Sequence, residues 1–535
     1  MSKAWLFTLS VLPKPLDLSS QYQKKSSVPA QKGFVMHQTT VPSFKRRTLL
    51  RAIFLGAGAT ALPFLSACGS DSDVSTSSAN PTGPNENGNP PVVNPPNLGP
   101  LAMELPLQAG PLAGIGELVA TGVDNIFAPA GFTVRPVARH LSNPVLGIPD
   151  LLGLTGYNWH MFPDGGAVFP TEDGGWVYVS NSETEAPQGG VGALRFNAQG
   201  EVQSAYRILT GTARNCAGGA TPWGTWLSCE ETQTGITWEC DPLGSTATAR
   251  ALPALGVFNH EAVAVDMTTK TLFLTEDAGD GRLYRFVSEG DLRPAVNGQM
   301  GLNMEQGKLQ VLEIVGFEAG AYQEDIAVAQ RVHRVKWVDV LEPENPQAQV
   351  RTRTAAAGLP VPGTVFRGGE GIWIQEFPQG QAPSVSGAAK PMRAVVFFAC
   401  KGDNRVYALD IDNDFIEVVF DNSQLSEGAG FDDVDNLVVS PAGDVVVAED
   451  GDAMRLMVMI PNKPAKILLQ ITGGGSELAG PAFSPDGSRL YFSNQRGPNL
   501  PALPGLPNLP GTGATYELLI PEEFRTAIDS TVSPT

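Results

Sequence analysis

No phosphate-binding loop, no His-Glu-x-x-His and no Gly-x-Ser-x-Gly occurs in this 535-residue chain. That removes P-loop, zincin and nucleophile-elbow chemistry from consideration. Charge is scarce as well. Only 17% of residues are Asp, Glu, Lys or Arg, while Gly (59) and Pro (44) abound, which fits short strands joined by turns better than long charged helices. Basic charge is scarcest of all in the body of the chain. Residues 1–68 hold nine of the 36 Lys/Arg and one of the 55 acids, Asp17, leaving 27 basic against 54 acidic residues and a net of −27. Such a body repels phosphate backbones, so nucleic acid is excluded as a partner. The acidity reads either as a well-solvated surface or as a body that holds cations.

What basic charge there is gathers at the N-terminus, in "SFKRRTLLRAIFLGAGATALPFLSACGS". The apolar run Ala52 to Ala67 is too short to span a membrane comfortably and reads as a signal h-region. Arg46-Arg47 just before it resemble a twin-arginine signal. Leu65-Ser66-Ala67-Cys68 resembles a lipobox, in which Cys68 would be lipidated and become the mature N-terminus; an ordinary signal peptide with an incidental cysteine is the alternative. Gly69 follows, so no inner-membrane retention signal is seen. Met36 is the expected true start. Residues 69–100, rich in Ser, Asn, Pro and Gly, cannot bury enough apolar surface to fold and read as a tether. The expected organisation is a signal peptide over 1–68, a linker over 69–100 and a folded domain over 101–535. The localisation that follows is the cell envelope, through the twin-arginine export machinery, with a lipid anchor as the only membrane contact. That route carries folded proteins, which raises the expectation of a bound cofactor.

Beyond residue 101 a loose repeat recurs: "AVFPTEDGGWVYVSNSE" from Ala167, "EAVAVDMTTKTLFLTEDAGDGRLYRFV" from Glu261, "NLVVSPAGDVVVAEDGDAMRLMVMI" from Asn436 and "PAFSPDGSRLYFSNQRG" from Pro481. Each is an apolar strand, a tight Pro/Gly/Asp turn, a second strand and a polar cluster. Two looser copies, "GTWLSCEET" and "GIWIQEF…AVVFFACKGDNRVYALD", make about six units. The expected fold is all-β, a six-bladed β-propeller with irregular insertions; a sandwich or double-sheet barrel is the alternative.

In a propeller, equivalent points of each repeat converge on the axis. The strand starts hold Asn259-His260-Glu261, Glu370 and Asp435-Asn436. The ends of second strands hold Asn181, Glu183, Cys229-Glu230-Glu231, Glu276-Asp277, Cys400-Lys401, Glu449-Asp450 and Asn494. Carboxylates and amide oxygens suit Ca²⁺, and a thiolate suits iron or zinc. Together they point to a mixed multi-metal site able to orient a phosphate ester. Asn259, His260, Arg367 and Lys401 are candidate substrate-binding residues, the last three as donors to phosphate oxygens. The plainer readings stay open. Glu261 and Glu370 are also fit for a solvent face. Cys229 and Cys240 could form a disulfide, and Cys216 and Cys400 suit a buried apolar role. The pairs Glu276-Asp277 and Glu449-Asp450 could be turn formers or structural Ca²⁺ ligands. His140, His160 and His333 read as structural.

These residues lie in motifs that resemble the PhoX family of exported alkaline phosphatases: "TPWGTWLSCEET", "NHEAVAVD", "LTEDAGDGRLYRFV", "GGEGIWI", "KGDNRVYALD", "VDNLVVSP", "VAEDGD" and "PAFSPDGSRLYFSNQRG". Singly they are weak; together and in order they are specific. The resemblance implies a six-bladed propeller with a central Ca²⁺ and Fe³⁺ cluster that hydrolyses phosphate monoesters and leaves diesters open. It implies Cys229 and Glu230 as ligands to iron, and Glu261 and Glu370 as further catalytic, metal-bridging acids. Asp435-Asn436 and Glu449-Asp450, with Glu276, are the remaining metal candidates. The chain departs from the family at Gly368, where an Arg is expected two residues before Glu370; Arg367 lies one residue earlier. The expected partner is a small phosphate ester, and a monomer is expected. The competing functions are a non-catalytic, calcium-stabilised binding propeller and a propeller lactonase with one Ca²⁺.

Overall fold

Six short strands, each led by a polar residue and continued by small or apolar ones, stand at the centre of the protein. They are β1 (Pro163–Pro170), β2 (Asn215–Ala220), β3 (His260–Asp266), β4 (Gly369–Glu376), β5 (Val434–Val439) and β6 (Leu478–Phe483). The computed structural model describes residues 105–322, 332–385, 387–421, 433–451, 453–461, 463–473, 476–498 and 511–525. The signal, Cys68 and the tether lie outside them. All described residues belong to one compact unit, 92–535, and no helix among them is long and apolar enough to cross a membrane.

Each central strand turns back through a hairpin into a second strand. In four of the six the turn is the same: a Thr or Ser carbonyl accepts from the N–H of a glycine three residues on. The pairs are Thr171–Gly174, Thr221–Gly224, Ser440–Gly443 and Ser484–Gly487, at 3.0, 3.0, 2.9 and 2.8 Å. These glycines have φ between +67° and +91°, a region costly for any residue with a Cβ. Gly is therefore frequent here because the turns need it.

β1 and β2 each lead a four-stranded antiparallel sheet, and β5 leads a six-stranded one. β6 leads a sheet whose fourth member is the early strand Thr133–Arg139, paired with Ala514–Leu519, so segments near the two ends of the described residues close one sheet. β3 and β4 are the two edges of a nine-stranded sheet, because Val332–Asp339 pairs with Gly307–Ile314 on one side and Phe415–Asp421 on the other. β3 and β4 also pack together, so that sheet curls nearly closed. The six central strands pack in cyclic order, β1 on β2 round to β6 on β1. The fold is all-β and propeller-like: four separate sheets plus the curled nine-stranded one. An inserted helix, α1 (Gln347–Ala356), lies between β3 and β4 in the chain. The cores lie between sheets, with Val177, Val179, Val191, Ala193 and Trp226 sharing one and Phe397, Val447 and Met457 another. Each large side chain so buried contributes about 1.5–3 kcal/mol.

At the axis the strands approach too closely for side chains. A Cβ on Gly371 of β4 would stand 2.4 Å from the Leu437 amide nitrogen of β5, and one on Gly219 of β2 would stand 1.9 Å from the Val263 carbonyl of β3. Gly371→Ala is therefore expected to cost about 1–3 kcal/mol by over-packing backbone against backbone. Gly116→Ala, with nothing within 4 Å of the new Cβ, should lie within about 0.5 kcal/mol of the parent. Urea unfolding of the two variants side by side checks this.

Candidate metal centre

All six first hairpins slip register near the same end of the central strand. Taking the head of each strand as the first paired residue, the residue after it is Asp164, Cys216, Glu261, Glu370, Asp435 and Ala479 in turn. A bulge re-aims the side chain beside it. Here it does so around a ring, and five of the six positions carry an acid or a thiol. The second strands end at the same level, and the residues just past them are Glu183, Glu231, Asp277, Lys401, Asp450 and Gln495.

Acids of these two tiers, with Glu477 just before β6, form a chain of near contacts. Glu261, Glu370 and Asp435 offer oxygens all within 4.8 Å of one another; so do Asp435, Asp450 and Glu477, and so do Asp164, Glu183 and Glu477. Shared members link the three groups into one arc of seven carboxylates. Cys216 stands at its end, its thiol 3.7 Å from Asp164 Oδ2. Glu261, Glu370 and Asp164 are 2% exposed or less. Among the described residues, two cations lie among the acids. Lys401 Nζ is 2.8 Å from Glu370, 3.1 Å from Asp450 and 3.7 Å from Asp435. Arg496 stacks on the Phe162 ring and pairs with Glu183 and Glu477 at 3.3 and 3.2 Å.

Two positive charges do not neutralise seven acids and a thiol. Burial, then the neighbouring Glu370, pushes the Glu261 carboxyl well above the usual carboxylate range. Burial, then Glu477 and Glu183, does the same to Asp164. The Glu370 carboxyl is raised by burial and Asp277 against the opposing pull of Lys401, and the Cys216 thiol by burial and Asp164. Glu261 is the telling residue: both of its oxygens are buried with no hydrogen-bond partner. A buried carboxylate left so costs several kcal/mol. Bound cations would satisfy it. Hard oxygen donors in excess plus one thiol fit more than one kind of metal ion.

The structure relocates several predicted ligands. Cys229 is buried between sheets, its thiol on Thr237, and the ring thiol is Cys216 instead. All four described cysteines, 216, 229, 240 and 400, are free, so Cys229 and Cys240 form no disulfide. Glu230, Glu276 and Glu449 each sit one residue short of the pocket. Successive strand residues face opposite ways, and these three turn into their own sheets. Glu230 accepts from Trp238 Nε1 at 3.1 Å and from Ala213 N at 2.9 Å. Glu449 takes a two-pronged pair from Arg455, both contacts 2.7 Å. Glu276 pairs with Arg351 and Tyr284. His260 is likewise turned away beside Glu261, stacked on Phe258 with Nε2 3.0 Å from the Gly256 carbonyl; burial lowers it to about 4.

Among the other candidates, Glu261, Glu370, Asp435, Asp450 and Lys401 are brought together. Asn436 braces them, donating to Asp435 at 2.9 Å and accepting from Gly480 N at 2.8 Å. Asn259 donates to the Asp277 carbonyl at 3.1 Å. Arg367 lies over the Tyr322 ring, 4.1 Å from its centre. Gly368 beside it has φ +57°, with Lys401 Cβ 3.2 Å from where a Cβ would stand, so an Arg at that position would be strained in this backbone. Sequence reading passed over Asp164, Glu477 and Arg496. Asp164 lies in Pro-Asp-Gly, which reads as a turn but here forms the bulged head of β1.

Fold and site together define a propeller-like protein with a buried, cation-seeking pocket at its axis. The family model for alkaline phosphatase PhoX matches residues 179–497, and the chain belongs to that family, whose members are metal-dependent phosphatases and generally exported. Among solved structures, Pseudomonas fluorescens PhoX in complex with vanadate is similar over 79% of this chain and 99% of its own, with 16% identity and a TM-score of 0.56. That likeness concerns the fold. A gluconolactonase from Xanthomonas campestris aligns over 76% of this chain and 98% of its own, at 10% identity and a TM-score of 0.38, too low to bear on fold or activity. No curated protein matches the sequence.

The crowded acids give a prediction for the metal-stripped protein. Unfolded carboxyls ionise near pH 4. With folded values raised, stability in chelator falls as pH rises from about 4 through the folded range. Glu261→Gln removes one of the repelling charges, so it should raise Tm in chelator and lower Tm in excess Ca²⁺. Thermal melts of both proteins under both conditions read this directly.

Proposed function

We propose that this phosphatase hydrolyses phosphate monoesters outside the cytoplasm, in a pocket that holds Ca²⁺ and Fe³⁺ together. The observation that carries the reading is the buried arc of acids in which both Glu261 oxygens lack a partner. We count six blades, taking the nine-stranded sheet as two blades bridged by Val332–Asp339; the cyclic packing of the six central strands supports that count. Export through the twin-arginine signal and anchorage through Cys68 complete the reading.

Cys216 is the side chain suited to hold a transition metal, and Glu261, Glu370, Asp435, Asp164, Glu183, Asp450 and Glu477 are the oxygen donors that would hold the harder ions beside it. When bound, the ions supply Lewis-acid charge that neutralises the ester's phosphoryl oxygens. The remaining work falls to the chain. Lys401, spanning Glu370 and Asp450, holds a positive charge inside the pocket where an anionic ester arrives. With metal on those acids its ammonium becomes available to a phosphate oxygen. Arg367 and Arg496 present guanidinium groups held against aromatic rings, and either is suited to orient the ester from the rim.

The purified protein should turn over p-nitrophenyl phosphate at alkaline pH, lose that activity on strong chelation, and contain iron with several equivalents of calcium by elemental analysis. Glu261→Ala should lower turnover at least 100-fold. Cys216→Ser should lose iron, whereas Cys229→Ala should keep it. Full activity in Glu261→Ala, or an active protein free of metal, would overturn the assignment.

A further inference from the structure

The three acids that turned away from the pocket share a feature. Each is buried or nearly so, each is fixed by a strong donor, and each is followed at once by a residue of the pocket tier: Glu231 after Glu230, Asp277 after Glu276 and Asp450 after Glu449. In two cases the donor, Trp238 or Arg455, comes from the next strand of the same sheet. In the third it comes from far away. Arg351 of α1, 75 residues from Glu276 in sequence, is itself 6% exposed. It donates to both Glu276 oxygens at 3.0 and 2.9 Å and to both Asp280 oxygens at 2.8 and 3.0 Å. It therefore grips the loop 276–280 on either side of Asp277. Tyr284 and the Arg282 N–H complete the hold on Glu276 at 2.9 and 3.1 Å.

That loop is structural support for more than Asp277. Its Ala278 carbonyl accepts from Gly368 N at 3.0 Å, and the Gly281 carbonyl accepts from Phe366 N at 2.9 Å. The segment so held carries Arg367 and runs directly into Glu370. A planar guanidinium bound to two carboxylates fixes both distance and plane, which an ammonium cannot do.

We propose that Arg351 is a positioning residue for the metal centre: by clamping Glu276 and Asp280 it sets Asp277 and the Phe366–Glu370 segment at the pocket, and the inserted helix α1 exists in this chain to deliver it. The inference rests on the metal-centred reading above and adds a part that touches neither metal nor substrate. Groups that orient ligands from behind typically change metal affinity or activity by about 10–100-fold when removed.

The test uses the full-length, metal-loaded protein. Arg351→Lys keeps the charge and loses the fork. The double variant Glu276→Gln with Arg351→Met removes the pair without stranding a buried charge. Arg353→Ala, on the same helix but exposed and paired with Glu342, is the control. Metal content is followed against rising EDTA, and p-nitrophenyl phosphate kinetics are measured on the loaded forms. In both Arg351 variants the EDTA concentration that strips half the metal should fall about 10–100-fold, and kcat should fall while KM stays within about two-fold; Arg353→Ala should match the parent. A lowered Tm with unchanged EDTA midpoint and kcat would overturn the inference and leave Arg351 a packing residue. A parent protein that holds no metal and turns over no ester would overturn the metal-centred reading itself, and the inference with it.

Discussion

Like charges brought together at the axis constrain everything else in this protein. Burial and mutual repulsion both oppose ionising Glu261, Glu370 and Asp164. Strands that packed to place them must therefore be held by forces elsewhere. The apolar layers between sheets provide those forces, and the bulges convert them into geometry by re-aiming one side chain on each central strand. The stability of the periphery is thus offset against strain at the centre, a common arrangement where a site must be ready before its ligand arrives.

The same logic explains why two adjacent acids on one strand have opposite fates. Glu449 and Asp450 differ by a single step along the chain, yet the first is locked by Arg455 while the second joins the arc. The pleat assigns the roles, and the chemistry of the residue does not. A pair of acids at a strand end is economical in such a fold: one secures the strand's end, and its neighbour is presented at a fixed place.

Much of this was legible in the residues. The repeated hairpins, the all-β class and the convergence of polar strand ends follow from turn chemistry and alternation. What was not legible had physical causes. β2, "NCAGGA", has almost no strand propensity, because closeness at the axis demands small residues, so its head residue Cys216 was passed over in favour of Cys229 in the more obvious strand beside it. The Pro-Asp-Gly at residues 163–165 carries turn chemistry because a bulge borrows turn-like backbone, and it hid Asp164. Which of two neighbouring acids faces the axis depends on which strand residue points inward, and Glu230, Glu276 and Glu449 each stand one alternation step from the inward-facing position.

The pairing of Thr133–Arg139 with Ala514–Leu519 has a temporal consequence. A strand near the start of the described residues waits for one near their end, across nearly the whole described length of the chain. Joining such distant partners is entropically slow. The circle of sheets, and hence the vessel at its middle, is complete only once these two strands have met. The last contact of the circle is thus one between segments far apart in sequence, and the pocket at its middle keeps its shape only while that clasp stays shut.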